Sequence, residues 1–447
     1  MQRWWSYVAV LALVIVVNLP SAASAEVLTL EQCIKIALEE ESSTQLVGAR
    51  LSYTQSRQGV WSAWGDLLPS LTHGFDYSHT KFSEVQYFPD SGKFIPRDSL
   101  GLSTHSTTWG SGLSLSQTLF DGGANWYRVA QSYHNRTSAR EGVRGAENAL
   151  VLGVKEKYFA LLKSRKLVEV QQAAVRRAEE FLKTIQSRYE LGSASLSEVL
   201  KAKVELGTAQ LELLTRENDV QTSRADLNTV LKRPVDSDLD VAELSGEDTP
   251  VPTYEEAVQT ALRNSPDLIG AEASYRAAKD EIGIARATLF PSVTWRASRS
   301  FNPRKGGDLL DYDGRFGTWF IGASIDYTLF SGFHRKTAIS NARANVKYAR
   351  ETLDQTERTV AFSVKQAYLG VDLAAETRNL ADQIEVSAQE DFNLAQEKYN
   401  LGAATILDLL DAQVSLTRAQ NDKVNAMFDY HVAVARLENA IGQGVPE

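Results

Sequence analysis

The sequence predicts an internally duplicated α+β membrane protein. Each chain would supply four β-strands to a twelve-stranded barrel of three chains, continued below by long α-helical coiled coils. Three observations lead there. The segment RYELGSASLSEVLKAK (188–203) returns 210 residues later as KYNLGAATILDLLDAQ (398–413), with six of sixteen positions identical and five chemically similar. The stretch from Ala124 to Tyr189 contains no proline and repeats an apolar residue every seventh position. The segments 108–120 and 318–330 instead alternate with period two.

Taken in chain order, residues 1–25 (MQRWWSYVAVLALVIVVNLPSAASA) carry Arg3, an apolar run from Tyr7 to Leu19, a Pro20 break and Ala23-Ser24-Ala25. That is the pattern of a cleaved signal peptide. The run is shorter than the roughly 20 apolar residues of a membrane anchor. A first repeat, 26–232, opens on the helix TLEQCIKIAL (29–38), then runs through a strand hairpin (70–120) and a helical hairpin (124–232). Residues 233–252, rich in Pro, Asp and Ser, read as a linker. The second repeat, 253–441, opens on TYEEAVQTAL (253–262) and follows the same order, with a strand hairpin at 292–330 and a helical hairpin at 334–441. A short tail, 442–447, follows. Shared landmarks include LLPSL (67–71) with LFPSV (289–293), Leu119-Phe120-Asp121-Gly122 with Leu329-Phe330-Ser331-Gly332, and Tyr158 with Tyr368. A fixed order met twice is the signature of duplication.

The first long helix shows a seam of Val154, Leu161, Val168, Val175, Leu182 and Tyr189, with Lys155, Glu156, Arg176 and Glu179 off it. At 1.5 Å per residue it would reach roughly 100 Å. Its counterpart, about 334–400, has Val364, Tyr368, Val371, Ile384, Phe392 and Tyr399 at mixed spacing, interrupted by Arg378 and Glu385. Leu-Gly at 191–192 and 401–402 stops each helix with a residue that accepts positive φ. A second helix then returns, so each quoted segment is the tip of a helical hairpin.

In 318–330, Trp319, Ile321, Ala323 and Ile325 alternate with Thr318, Gly322, Ser324 and Asp326; in 108–120, Trp109, Leu113, Leu115 and Leu119 alternate with Ser114, Ser116 and Thr118. Alternation over about ten residues with an aromatic end is a transmembrane β-strand pattern. Trp126-Tyr127 and Phe333 would form an aromatic girdle. Four strands cannot close a barrel, and lipid does not tolerate an open sheet edge. Three chains would give twelve strands.

The formal net charge is −9, and becomes −10 once Arg3 leaves with the leader, which excludes nucleic acid as a partner. The single cysteine, Cys33, cannot form an intramolecular disulfide and reads as a small buried side chain. Six histidines (73, 79, 105, 134, 334, 431) lack zinc-site spacing. Asp308, Asp311 and Asp313 depart from calcium-loop spacing and read as an exposed loop, 302–315, paired with 89–105. No nucleophile–base arrangement appears, so neither an enzyme nor a cofactor is expected.

With LLPSL/LFPSV before the strands, LFDGG/LFSGF after them and Tyr-x-x-Gly…Glu/Asp-(Val/Leu)-Leu at both tips, the chain resembles the TolC family of bacterial outer-membrane efflux proteins over nearly all of 28–441. The resemblance implies a homotrimeric channel-tunnel set in outer-membrane lipid of a Gram-negative bacterium, with a large periplasmic part. It would be a passive duct for small molecules or proteins, served by a periplasmic adaptor (membrane fusion) protein and an inner-membrane efflux or secretion pump. It places the entrance constriction at Asp408 and Asp411, with Tyr399 beside them and Ser197 and Glu198 bracing closure. Tyr189, Gly192 and Gly402 belong to the tip turns for adaptor docking. Some members carry a basic residue two places after the second-tip glycine; Ala404 stands here, so closure must rest on other contacts.

Independently of the family, a ring of carboxylates at a narrow mouth concentrates cations, and like charges held close raise some of their pKa values. The bland alternative is two exposed acids favoured by the helix dipole. Two further readings compete with the channel. A periplasmic coiled-coil adaptor without a pore explains the helices but not the alternating strands. A secreted hydrolase lacks its catalytic groups.

Overall fold

The computed structural model describes residues 26–243, 250–301 and 317–444. The leader, the loop with Asp308, Asp311 and Asp313, and the end of the tail lie outside the described residues. Two compact units are present, and each draws on both halves of the chain.

One unit holds the described residues up to Ala49, Val143–Pro266 and those from Glu357 onward. Its strand β1 (Glu26–Leu28) leads into α1 (Leu30–Glu39), which starts with a capping box between Thr29 and Gln32. The short helix α5 (Tyr254–Asn264) starts the same way, with Thr253 and Glu256. Part of the predicted linker is ordered: β6 (Leu239–Val241) pairs in parallel with β1. The reason is apolar, because Leu239 and Val241 are buried in a core with Cys33, Tyr158, Leu161 and Leu227. The Tyr158 hydroxyl donates to the Ala242 carbonyl at 2.7 Å, and burial pushes its pKa up to about 12.

The long helix α3 (Ala124–Glu190) enters this unit and is followed by α4 (Leu196–Val230); α7 (His334–Asn400) and α8 (Ile406–Ala440) repeat those lengths of 67 and 35 residues. The α3 seam is wider than one stripe. Ser164, Gln171, Ala178 and Ile185, three positions after Leu161, Val168, Val175 and Leu182, are buried, whereas Val168 and Leu182 are only half-buried. Gln171 is satisfied there by the Ala209 carbonyl of α4 at 3.1 Å. Off the seam, Lys155 pairs with Glu438 of α8 at 2.6 Å and Glu156 with Arg436 at 2.8 Å. On α7 two expectations change. Ile384 is exposed, and the neighbouring buried position is Ala381. Arg378 and Glu385 do not interrupt the packing: Arg378 lies over the Tyr430 ring, while Glu385 and Asp382 hold Lys423 of α8.

The other unit comprises Arg50–Gly142 and the described part of Asp267–Thr356. It contains most of α2 (Thr44–Gly65) and α6 (Pro266–Ala287). Strands β2 (Ser70–Lys81), β5 (His105–Phe120), β7 (Ser292–Phe301) and β8 (Gly317–Asp326) form one antiparallel sheet in the order β2-β5-β7-β8. The register keeps all four in phase. Leu71 faces Leu115, Leu115 faces Ala297 and Ala297 faces Ile321, while one residue back Ser116, Arg296 and Gly322 align. One face is therefore rich in apolar and aromatic side chains and the other in Ser, Thr and Gly, since successive residues point to opposite faces. A bulge between Thr118 and Phe120 puts Phe120, not Leu119, opposite Val293. Strand β8 ends at Asp326, short of the predicted 330. The segment read as a loop, 89–105, contains β4 (Lys93–Pro96), which forms a small hairpin with β3 (Val85–Phe88) just before it, with Tyr87 against Phe94 at 4.9 Å.

The turn from β5 into α3 is tightly specified. Gly122 has φ +72°, and a Cβ there would meet the Ala287 carbonyl oxygen at 2.4 Å. The Asp121 carboxylate accepts from the Gly123 and Asn125 amides and lies 3.7 Å from Arg128. The corresponding turn into α7 has Ser331 where Asp121 stands, and Phe333 at φ +68° where Gly123 stands.

Candidate functional site

The two hairpin tips lie in the first unit and share one backbone design. At the end of α3, the Gly192 amide donates to the Tyr189 carbonyl at 2.9 Å and the Ser193 amide to the Arg188 carbonyl at 2.8 Å. At the end of α7, Gly402 donates to Tyr399 at 3.1 Å and Ala403 to Lys398 at 2.8 Å. The two glycines have φ +71° and +74°, the left-handed conformation that this double hydrogen-bond motif requires. The returning helices then begin with matching capping boxes. Ser195 accepts from the Glu198 amide at 3.3 Å and Thr405 from the Asp408 amide at 3.3 Å, while each acid accepts from its cap's amide.

This accounts for two of the predicted site residues in an unexpected way. Asp408 is the third residue of α8, and its carboxylate accepts from the Thr405 amide and hydroxyl, both at 2.8 Å. Those bonds hold its pKa below the ordinary carboxylate value. Asp408 and Asp411 are both exposed and, three residues apart, lie on one side of α8. Glu198 plays the same capping part on α4 and is half-buried. Ser197 is exposed, and its hydroxyl has no partner among the described residues. Tyr189 is exposed at the rim of the first tip.

Tyr399 joins the tips. Its ring packs on a cluster of Ile185, Val199 and Ala202 from the first hairpin and meets Phe181 edge-on at 5.9 Å. Burial, then the nearby Glu198 carboxylate, push its phenol up, with Arg188 opposing. Arg188 is the residue that sequence reasoning missed. Its guanidinium lies 5.3 Å from the centre of the Tyr399 ring and donates to the Asn400 side-chain oxygen at 2.9 Å. A basic residue directly precedes the tyrosine at both tips, Arg188 and Lys398, and that pairing was the available signal. In this chain an arginine of the first hairpin thus contacts the second tip. Among the described residues no group of His, Cys, Asp and Glu is arranged to hold a metal.

Comparison with known proteins agrees with this architecture. The family model described as outer membrane efflux protein matches twice, over residues 36–231 and 257–443. The TolC outer membrane protein of Vibrio cholerae is 22% identical over 409 residues, covering 90% of this chain and 88% of its own. The alkaline protease secretion protein AprF of Pseudomonas aeruginosa is 25% identical over 404 residues, covering 89% and 81%. Among solved structures, the outer membrane protein VceC of Vibrio cholerae superposes with a TM-score of 0.76 at 20% identity, over 92% of this chain and 96% of that one. With the family model matched across both halves, this chain belongs to the outer membrane efflux protein family, a channel family of the Gram-negative outer membrane rather than an enzyme family.

Proposed function

We propose that three copies of this internally duplicated chain form a passive channel-tunnel, a twelve-stranded barrel in the outer membrane continued by a helical tube in the periplasm. The observation that carries the reading is the four-stranded sheet, with β2 and β8 as open edges and one apolar face. In lipid every strand edge must be paired, so β8 of one copy meets β2 of the next until the ring closes. The helices support the same symmetry. Exposed apolar stripes run along α4 at Leu196, Leu200, Val204 and Leu211, and along α7 at Phe362, Leu369, Leu373 and Leu380. Stripes at three-, four- and seven-residue spacing are seams for neighbouring helices. Matching helix lengths and the twice-matched family model support the duplication, which makes a quasi-sixfold tube from three chains.

In this reading the tips form the periplasmic entrance, with Asp408 and Asp411 of three copies ringing it. Tyr399, Ser197 and Glu198 brace closure, and Tyr189, Gly192 and Gly402 shape the surface that meets a periplasmic adaptor. An inner-membrane pump supplies the energy. A pore-less adaptor accounts for neither the sheet nor the family. The test is the mass of the detergent-solubilised protein taken from isolated outer membranes. About three times the 49.4 kDa chain, less its leader, is expected; a soluble monomer or dimer would overturn the reading.

A further inference from the structure

Leu329, Phe330 and Phe333, where β8 gives way to α7, are exposed and line an open groove of about 540 Å³ together with Arg335, Lys336 and Arg343. Three features of this groove are unusual. No acidic residue occurs on α7 before Glu351, and among the described residues none of the three cations has an ion pair. Cations in the first turn oppose the helix dipole, so helix stability does not explain Arg335 and Lys336. The first repeat handles the same turn differently, with Asp121 bonding the amides at the start of α3 and Arg128 close to that acid.

Phe333 is the second signal. At φ +68° it holds a conformation that aromatic residues rarely adopt, where the first repeat has Gly123 at φ +88°. Its ring pairs edge-on with Phe330 at 5.9 Å. An apolar platform beside cations that lack an ion pair among the described residues, with Arg335 lying over the Tyr327 ring at 5.7 Å, directly below membrane strands, complements one class of partner: a diacyl lipid whose headgroup carries a net negative phosphate. We infer that this groove binds one anionic phospholipid of the periplasmic leaflet per chain, with acyl carbons on Leu329, Phe330 and Phe333 and the phosphate on Arg335, Lys336 and Arg343. The inference rests on the reading of β2, β5, β7 and β8 as membrane strands.

The test titrates the purified full-length assembly with phosphatidylglycerol and with phosphatidylethanolamine of the same chains, counting retained lipid by native mass spectrometry. Phosphatidylglycerol is expected to be preferred. The triple variant Arg335→Gln, Lys336→Gln, Arg343→Gln should lose that preference by about fivefold per charge, on the order of a hundredfold together. Phe333→Gly should weaken retention of both lipids while the assembly stays folded, because glycine accepts positive φ. Equal retention of the two lipids, or a preference that survives the triple variant, overturns the inference while leaving the channel intact. A triple variant that falls apart into single chains would make the groove a subunit contact and also overturn it. A wild-type protein that is no oligomer and not in the membrane would instead remove the channel reading beneath it.

Discussion

In the proposed channel the contact between Arg188 and the second tip would favour a closed entrance, and its removal has a calculable effect. Arg188→Ala deletes one hydrogen bond to Asn400 and one cation–ring contact with Tyr399. A hydrogen bond of this kind contributes about 1 kcal/mol net. A cation–ring contact at a part-exposed site adds roughly 0.5–1 kcal/mol. Together they stabilise the joined tips by about 1.5–2 kcal/mol, a factor of roughly 10–30 in the equilibrium at about 1.4 kcal/mol per tenfold. Single-channel recording in planar bilayers should show the open fraction rising by that factor. Arg188→Lys, which keeps the charge but loses the planar fork, should fall between. A double-mutant cycle with Tyr399→Leu isolates the ring contact and should return a coupling of about 0.5–1 kcal/mol. An open fraction within twofold of wild type in Arg188→Ala, alongside clear opening by Tyr399→Leu, would refute the reasoning: the ring would then matter only through its packing on Phe181 and Ile185.

Three further outcomes are expected. Asp408→Asn with Asp411→Asn should reduce the cation-to-anion permeability ratio measured by reversal potentials in a salt gradient; an unchanged ratio would remove the carboxylate ring. The Asp408 carboxyl is depressed by its bonds to Thr405, so its cap contribution is present above the unfolded carboxylate value of 3.8 and is lost as pH falls below it through the folded value. Hydrogen-exchange protection factors in the first turn of α8, taken relative to the intrinsic rate at each pH, should therefore fall in acid for the wild type, and an equal fall in Asp408→Asn would show the cap to be irrelevant. Gly402→Ala meets nothing within 4 Å and should destabilise the tip by only about 1–2 kcal/mol, whereas Gly122→Ala adds a clash with Ala287 and should cost more. Comparing their thermal unfolding checks this, and equal losses would contradict it.

Sequence alone conveyed the long elements well because two strong periodicities carry them. The proline-free run with its seven-residue repeat is observed as α3, and the period-two segments fall on β5 and β8. Half of the α3 seam was hidden because Ser164 and Gln171 are polar, and only the Ala209 carbonyl explains how Gln171 is buried. Strand β6 was invisible because it is three residues long and finds its partner at the far end of the first repeat. The hairpin of β3 and β4 has no alternation long enough to read. At the tips, Thr405-x-x-Asp408 and Ser195-x-x-Glu198 are capping boxes legible from spacing, and they assign these acids a role at the helix start beside any role at a constriction. Arg188 was hidden because a cation in the last turn of a helix already has an ordinary explanation in the dipole.

The tips hold their shape with backbone amides, two glycines and two capping boxes, so little of that shape depends on the side chains displayed. Leu191 and Leu401, at the apex of each turn, are 82% and 84% exposed. Substitutions there, or at Ala403, would alter the surface that the tips present while leaving the turn that carries them intact, whereas Ser193 also bonds the Arg188 carbonyl through its hydroxyl at 2.9 Å. In the proposed channel, partner choice and foldability would thereby be written in different residues, so that small surface changes could suit the tips to another partner without rebuilding the hairpin beneath.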